Sequence, residues 1–240
     1  MKRTKTKAIT SERVDDTIVA VEVFEETLRG SEFVADLRPA VTVFGSARFT
    51  SRHPYYRLAR ETGAAFARAG HCIITGGGPG IMEAANRGAK DAGGRSIGCN
   101  ITLPREQKPN RYVDHFMEFK YFHVRKHMLR KVSSAIVLMP GGLGTLDEIF
   151  EALTLMQTGK ARHVPVIVMG SDFWRHLRCF MRDGLLANDT ISRSDLALYT
   201  ATDDPSEAVA LVHAATRSRR RRGTTRTVMR NHRVRSRLPV

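Results

Sequence analysis

Pro140-Gly141-Gly142-Leu143-Gly144-Thr145 is the stretch that most limits what this chain can fold into. Before it, Ala135 to Met139 is an unbroken apolar run, as expected of a strand buried on both faces of a parallel sheet. After it, a helix-period pattern begins near Thr145 and continues through Leu146, Ile149, Phe150 and Leu153. A strand feeding a helix through glycines leaves bare backbone N–H groups at a positive helix end, which suits a phosphate. Asp147 and Glu148 read as first-turn acids, a placement that the helix dipole alone would favour. The glycines argue for more, because Pro-Gly-Gly-x-Gly-Thr has more backbone freedom than a turn requires.

The same unit recurs along the chain. Val41 to Phe44 reads as a strand running into Gly45-Ser46-Ala47-Arg48, and small residues at a strand's carboxyl end leave room for a ligand. A helix is expected from about Pro54 to Ala69, with Leu58, Thr62, Ala65 and Phe66 on one face and Gly70 as its stop. His71 to Thr75 is a second strand, running into Gly76-Gly77-Gly78-Pro79-Gly80 and a helix from Ile81. That turn is not the dinucleotide fingerprint, since Ile81 stands where a third glycine belongs and Asn100 where a ribose-binding acid would be. Nor is it a Walker A loop, for no Gly-Lys-Ser/Thr follows; it can still hold a phosphate through backbone alone.

Further strands are expected at Ser96–Ile101, Met117–Phe122 and Val164–Met169. Helices are expected at Ser11–Gly30, with Val14, Ile18, Val21, Phe24 and Leu28 apolar, at Val124–Val132, at Phe173–Arg182 and at Glu207–Ala215. Trp174 is assigned to the core rather than to a stacking platform. Alternating strands and helices predict an α/β fold, a doubly wound parallel sheet of Rossmann-like type.

The formal charge of +15 is concentrated at the ends. Residues 1–7 carry Lys2, Arg3, Lys5 and Lys7, and residues 217–240 carry ten arginines, with no acid in either segment. The remainder holds 25 basic and 24 acidic side chains. The expected organisation is a basic arm (1–11), one Rossmann-like domain (12–216) and an arginine-rich, disordered tail (217–240). No apolar run reaches 18 residues and no signal segment is evident, so a cytoplasmic protein without membrane contact is expected. Cys72, Cys99 and Cys179 form no CxxC pair, and His123 and His127 have no third ligand nearby, so no metal or cofactor is expected.

With these residues in view, the chain resembles the LONELY GUY family of nucleotide phosphoribohydrolases, whose bacterial members were long labelled lysine decarboxylase-like. Pro140 to Glu148 matches PGGxGTxxE, and Gly76 to Asn86 reads GGGPGIMEAAN, as in the longer bacterial branch. Arg125-Lys126 stands upstream, and Glu151-Ala152-Leu153-Thr154 follows on the helix. The likeness spans roughly Val41 to Ala215 and implies hydrolysis of the N-glycosidic bond of adenosine 5′-monophosphate or its N6-prenylated cytokinin forms.

The resemblance also implies roles. Arg125 and Glu148 would be catalytic, with Glu148 ionised against an oxocarbenium-like ribose and its charge favoured by the helix start. Gly141, Gly142, Gly144 and Thr145 would cradle the phosphate. Substrate contacts would come from Gly45, Ser46, Gly77, Gly78, Gly80, Met82, Glu83, Glu106, Lys126, Asp147 and Thr154. A homodimer is expected, with Phe150, Leu153 and Met156 as its apolar face. A pyridoxal-dependent decarboxylase would need a partnered lysine, and Lys126 and Lys131 on a basic helix are the only nearby candidates. A second class stays open: a nucleotide-binding protein with a polyanion-binding tail and little turnover.

Overall fold

A computed structural model describes residues 11–102 and 108–218. Glu106, the arm up to residue 10 and the tail from residue 219 lie outside the described residues. The chain opens with helix α1 (Ser11–Phe33) and enters β1 (Ala40–Phe44), α2 (Pro54–Arg68), β2 (Cys72–Thr75), α3 (Ile81–Asp91), β3 (Ser96–Ile101) and β4 (His115–Phe119). It then returns through α4 (Phe122–Val132) to β5 (Ser133–Leu138), α5 (Leu143–Gln157) and β6 (Val166–Val168). A short α6 (Arg175–Cys179) continues into a π-helical stretch, Phe180–Leu186. After α7 (Arg193–Leu196) and β7 (Thr200–Ala201), helix α8 covers residues 205–218.

The sheet has seven strands in the order β4-β3-β2-β1-β5-β6-β7, every described pair parallel. The chain therefore winds outward from β1 to β4, crosses back to β5 beside β1, and winds outward again. This is the doubly wound α/β fold expected from the alternating pattern. Side chains alternate along each strand, so one face buries Val41 and Val43 with Ile73, Phe66 and Ile81, and the other buries Phe44, Ile74, Met128 and Leu129. Burying side chains of this size stabilises the fold by about 1.5–3 kcal/mol each. Thr42, fully buried between β1 and α4, is satisfied by the Ser133 hydroxyl at 2.6 Å and the Leu129 carbonyl at 3.3 Å. Trp174 is core, its indole N–H donating to the Met169 carbonyl at 3.1 Å.

Several boundaries differ from expectation, each for a local reason. Helix α1 does not stop at Gly30 but runs to Phe33; of its expected apolar positions, Ile18, Val21, Phe24 and Leu28 are exposed. The side chains of Ser11 and Val14 lie outside the described residues. Strand β4 ends at Phe119 instead of Phe122, because the next two backbone N–H groups, of Lys120 and Tyr121, donate to the Glu26 carboxylate at 2.6 and 3.2 Å. Glu26 thus sits at the start of α4, which lacks a side-chain cap of its own, where a carboxylate is favoured. The α2 face also differs: Tyr56, Ala59, Thr62 and Phe66 are buried while Leu58 and Ala65 are only partly so. Helix α8, over residues 205–218, is longer at both ends than the Glu207–Ala215 expected. Among the described residues no helix is long and apolar enough to cross a membrane.

Candidate active site

The strand order reverses between β1 and β5, and in open α/β sheets the crevice at that reversal is where ligands bind. Both strands end there in small residues: Gly45-Ser46 after β1 and Pro140-Gly141-Gly142 after β5. The two ends are tied together, Met139 N–H to the Phe44 carbonyl at 2.8 Å and Ser46 N–H to the Pro140 carbonyl at 3.0 Å. Helix α3 is docked against the same point, its Ile81 N–H donating to the Ser46 carbonyl at 2.9 Å. Gly80 makes that approach possible, since its φ is +68° and a Cβ there would lie 2.4 Å from the Ser46 oxygen.

A cleft of about 660 Å³ opens over this junction. Gly45, Ser46, Met82, Arg125, Gly142, Gly144, Thr145 and Glu148, all expected at the site, line it together. The sequence reading missed Asn100, Ile101 and Phe122, which also line it. Phe122 is an exposed aromatic at the start of α4, with the Arg125 guanidinium 5.6 Å from its ring centroid. Its exposure is a property of tertiary position, and the apolar pattern of the helix hides it.

Arg125 and Glu148 meet across the cleft, Nη2 to Oε1 at 3.1 Å, with side chains only 15% and 7% exposed. The Arg125 Nε is buried with no hydrogen-bond partner. The Glu148 environment corrects an expectation. Helix α5 begins at Leu143, not near Thr145, so Asp147 and Glu148 lie in its second turn, beyond the reach of most of the dipole effect. Burial pushes the Glu148 carboxyl up, and the Arg125 charge and hydrogen bond only partly offset it. The helix start does not win; the pocket does.

The other expected residues fall elsewhere. Lys126, Asp147 and Thr154 face the outside of α5, bordering a separate shallow groove with Glu151 and Phe150. Lys126 Nζ sits 2.9 Å from Asp147 and 2.7 Å from Glu151. Burial works against its charge, yet the two carboxylates outweigh it and hold the lysine above its ordinary value. Gly141 is buried beneath Thr145. Glu83 is turned away and accepts from the Tyr56 hydroxyl at 2.8 Å, while burial, then Glu83, raises that phenol to about 12.

Gly77, Gly78 and Gly80 line no part of the cleft but form the wall behind it. That wall is braced by an amide network the sequence did not reveal. Asn86 Oδ1 accepts from the Thr75 hydroxyl at 2.7 Å and from Asn110 Nδ2 at 3.0 Å, and Asn110 Nδ2 also reaches the Gly77 and Gly78 carbonyls, both at 3.0 Å. Asn86 lies within the GGGPGIMEAAN stretch, but Asn110 comes from a loop 24 residues away and only the fold joins them. Cys72 and Cys99 are buried, their thiols pushed up by burial to about 11 and about 12, and no group of three possible ligands is placed to hold a metal among the described residues.

The family described as "possible lysine decarboxylase" matches residues 82–212. A cytokinin riboside 5′-monophosphate phosphoribohydrolase of Mycobacterium tuberculosis is 30% identical over 160 residues, covering 63% of this chain and 82% of that protein. One of the same name from Rhodococcoides fascians is 29% identical over 174 residues, covering 66% and 85%. Among solved structures, a molybdenum cofactor carrier protein of Chlamydomonas reinhardtii shares the fold at a TM-score of 0.54 and 25% identity, covering 73% of this chain and 96% of that one.

Proposed function

Since the chain belongs to the LONELY GUY family, whose matching description is possible lysine decarboxylase, we propose that its cleft hydrolyses the N-glycosidic bond of adenosine 5′-monophosphate or an N6-modified relative. The observation that carries this reading is the buried Arg125–Glu148 pair beside the glycine-rich start of α5. The phosphate sits over Gly142, Gly144 and Thr145, at backbone N–H groups of a helix N-terminus. Arg125 fixes the phosphate or ribose with a planar fork of donors. The C1′–N9 bond breaks with its electron pair leaving on the base, and positive charge develops on the ribose. Ionised Glu148 stabilises that charge and takes a proton from the water that adds at C1′. The departing base takes up a proton from solvent, Glu148 returns the water's proton to solvent, and free base and ribose 5-phosphate are the products. Phe122 and Ile101 supply apolar surface for the purine.

Decarboxylation of lysine is a poorer fit. Among the described residues no lysine lines the cleft, and Lys126 is held charged between two carboxylates, whereas an imine-forming lysine must be neutral. Binding without turnover is a second reading, favoured by the likeness to a protein named as a cofactor carrier. Free-base release from adenosine 5′-monophosphate, compared with its N6-isopentenyl form and with unphosphorylated adenosine, separates these readings. Hydrolysis of the monophosphates with weak or no action on adenosine is expected; binding with no base release favours the carrier reading.

If Glu148 must be ionised, kcat/KM should fall on the acid side at a pH above the ordinary glutamate range, because burial raises this carboxyl. A limb centred near the free-peptide value of about 4.3 would contradict that assignment.

The chain is proposed to work as a homodimer. The face expected for it needs revision, because Met156 is buried in the chain's own core and Phe150 and Leu153 pack against that core. Leu143, 85% exposed beside the cleft, lies with Leu155 on the outer groove of α5, neither of them packed against that core, and is the better contact. This places Lys126, Asp147 and Thr154 at the seam between copies. Sedimentation should give a dimer at micromolar concentration that Leu143→Asp weakens; an active wild-type monomer there contradicts it.

Residues 217–240 are proposed to bind polyanions independently of the cleft. Their removal should abolish salt-sensitive binding to nucleic acid and leave base release within about twofold. Lost turnover in a truncated chain that still folds would assign the segment to the site.

A further inference from the structure

The last turns of α8 lie beside the turn that joins α2 to β2, and two histidines meet there. His71, immediately before β2, and His213, on α8, bring their Nε2 atoms to 3.3 Å, with ring centroids 5.5 Å apart and planes inclined at 29°. His71 is buried, and the Phe66 ring stands nearly perpendicular to it, centroids 5.7 Å apart. Helix α8 is anchored by Ala208 and Val212, both fully buried, but no side chain from residue 213 to 218 is buried. Thr216 donates to the Val212 carbonyl of its own helix. Among the described residues, the imidazole pair is therefore the side-chain hydrogen bond that ties this end of α8 to the rest of the chain.

The contact fixes where the protons sit. Nδ1 of His71 is buried without a hydrogen-bond partner, so a proton there would be a stranded donor. His71 thus carries its proton on Nε2 and donates it to Nε2 of His213, whose own proton is on Nδ1. A further proton on His213 sets two N–H groups against each other. If His71 accepts instead, its own proton moves to the buried Nδ1. Either outcome weakens the contact.

Nothing nearby favours an imidazolium. Burial, then the His213 charge, hold the His71 imidazole below its ordinary value, and no carboxylate acts on it. Arg68, at the end of α2, and Arg217, one turn beyond His213, are exposed and in no ion pair among the described residues. Glu61, two turns back on α2, borders an outer groove with Arg68. Arg95 and Arg38, ahead of β3 and β1, donate to the Asp36 and Lys131 carbonyls. Glu207, near the start of α8, accepts from the Thr202 hydroxyl.

We propose that His71 and His213 form an acid-sensitive clasp, which holds the end of α8 on the body at neutral pH and releases it on uptake of one further proton. The part released leads into the arginine-rich segment. The pair lies at the amino ends of the strands, away from the cleft at their carboxyl ends, so the clasp stands apart from the hydrolase reading. Histidines of the unfolded chain titrate at about 6.5, above the folded His71, so the clasp is complete above that pH and is lost as pH falls below it.

Amide hydrogen exchange of the full chain at about pH 7.5 and about pH 5.5, corrected for the intrinsic rate at each, tests this. In wild type the protection of amides 213–218 should fall by roughly tenfold at the lower pH, while that of α2 and α3 changes by less than about twofold. His213→Gln keeps an oxygen that accepts from His71 but does not titrate, and protection of the same amides should then differ by less than about twofold between the two pH values. His71→Gln should behave likewise and supplies the test should His213→Gln fail to fold. Equal protection at both pH values in wild type, the same fall in the glutamine variant, or an equal fall throughout α2 and α3 overturns the proposal.

Discussion

Glu148→Gln is expected to lower kcat by roughly two to four orders of magnitude, the range for a positioned acid–base or electrostatic group. The substitution keeps shape and the ability to accept from Arg125, but removes the charge that a developing ribose cation requires. KM should change little, because Gly142, Gly144 and Thr145, the residues proposed to hold the phosphate, are left in place along the cleft. The folded protein should not suffer. Burial raises the Glu148 carboxyl above its unfolded value, so its ionisation disfavours the folded state as pH rises through the folded value. Gln removes that cost, and the variant should melt no lower than wild type at pH 7, the difference closing as pH falls below the unfolded value. A large loss of Tm at pH 7 would show that the charge is structural. Asp147→Asn is the contrast: exposed and paired with Lys126 outside the cleft, it should affect turnover far less.

Arg125→Ala should lower kcat/KM by about two to three orders of magnitude, with kcat falling and KM rising. Among the described residues Arg125 is the cation paired with Glu148, and its loss leaves that buried carboxylate with only the weaker influence of Lys126. The acid limb of kcat/KM should therefore move further upward in pH, which a merely structural role would not produce. Arg125→Lys keeps the charge without the planar fork and should recover only part of the activity. An unmoved pH profile in Arg125→Ala would separate the two residues.

The fold was legible because its signals are local. Ala135 to Met139 is apolar without interruption, and Gly-rich turns stand at the ends of Phe44, Thr75 and Met139, so strand, turn and helix follow one another in the sequence itself. What was missed depends on partners distant in sequence. Strand β4 ends where Glu26 of α1 takes the next two N–H groups, and no pattern in residues 115–122 records that. Strand β7 is two residues long and has only β6 to define it. Of the candidate site, glycines and the Arg125–Glu148 pair were legible through the family resemblance. The environment of Glu148 was not, because its burial comes from the cleft walls and not from its helix position. The same reason separates Lys126, Asp147 and Thr154 from the cleft: adjacent motif residues on a helix point in different directions.

The most direct test is to incubate the purified chain with adenosine 5′-monophosphate and quantify adenine, ribose 5-phosphate and inorganic phosphate in the same samples. The account predicts adenine and ribose 5-phosphate appearing in equal amounts, without inorganic phosphate, and falling by at least about a hundredfold in Glu148→Gln. Equal rates in wild type and Glu148→Gln, or inorganic phosphate as the product, would contradict it.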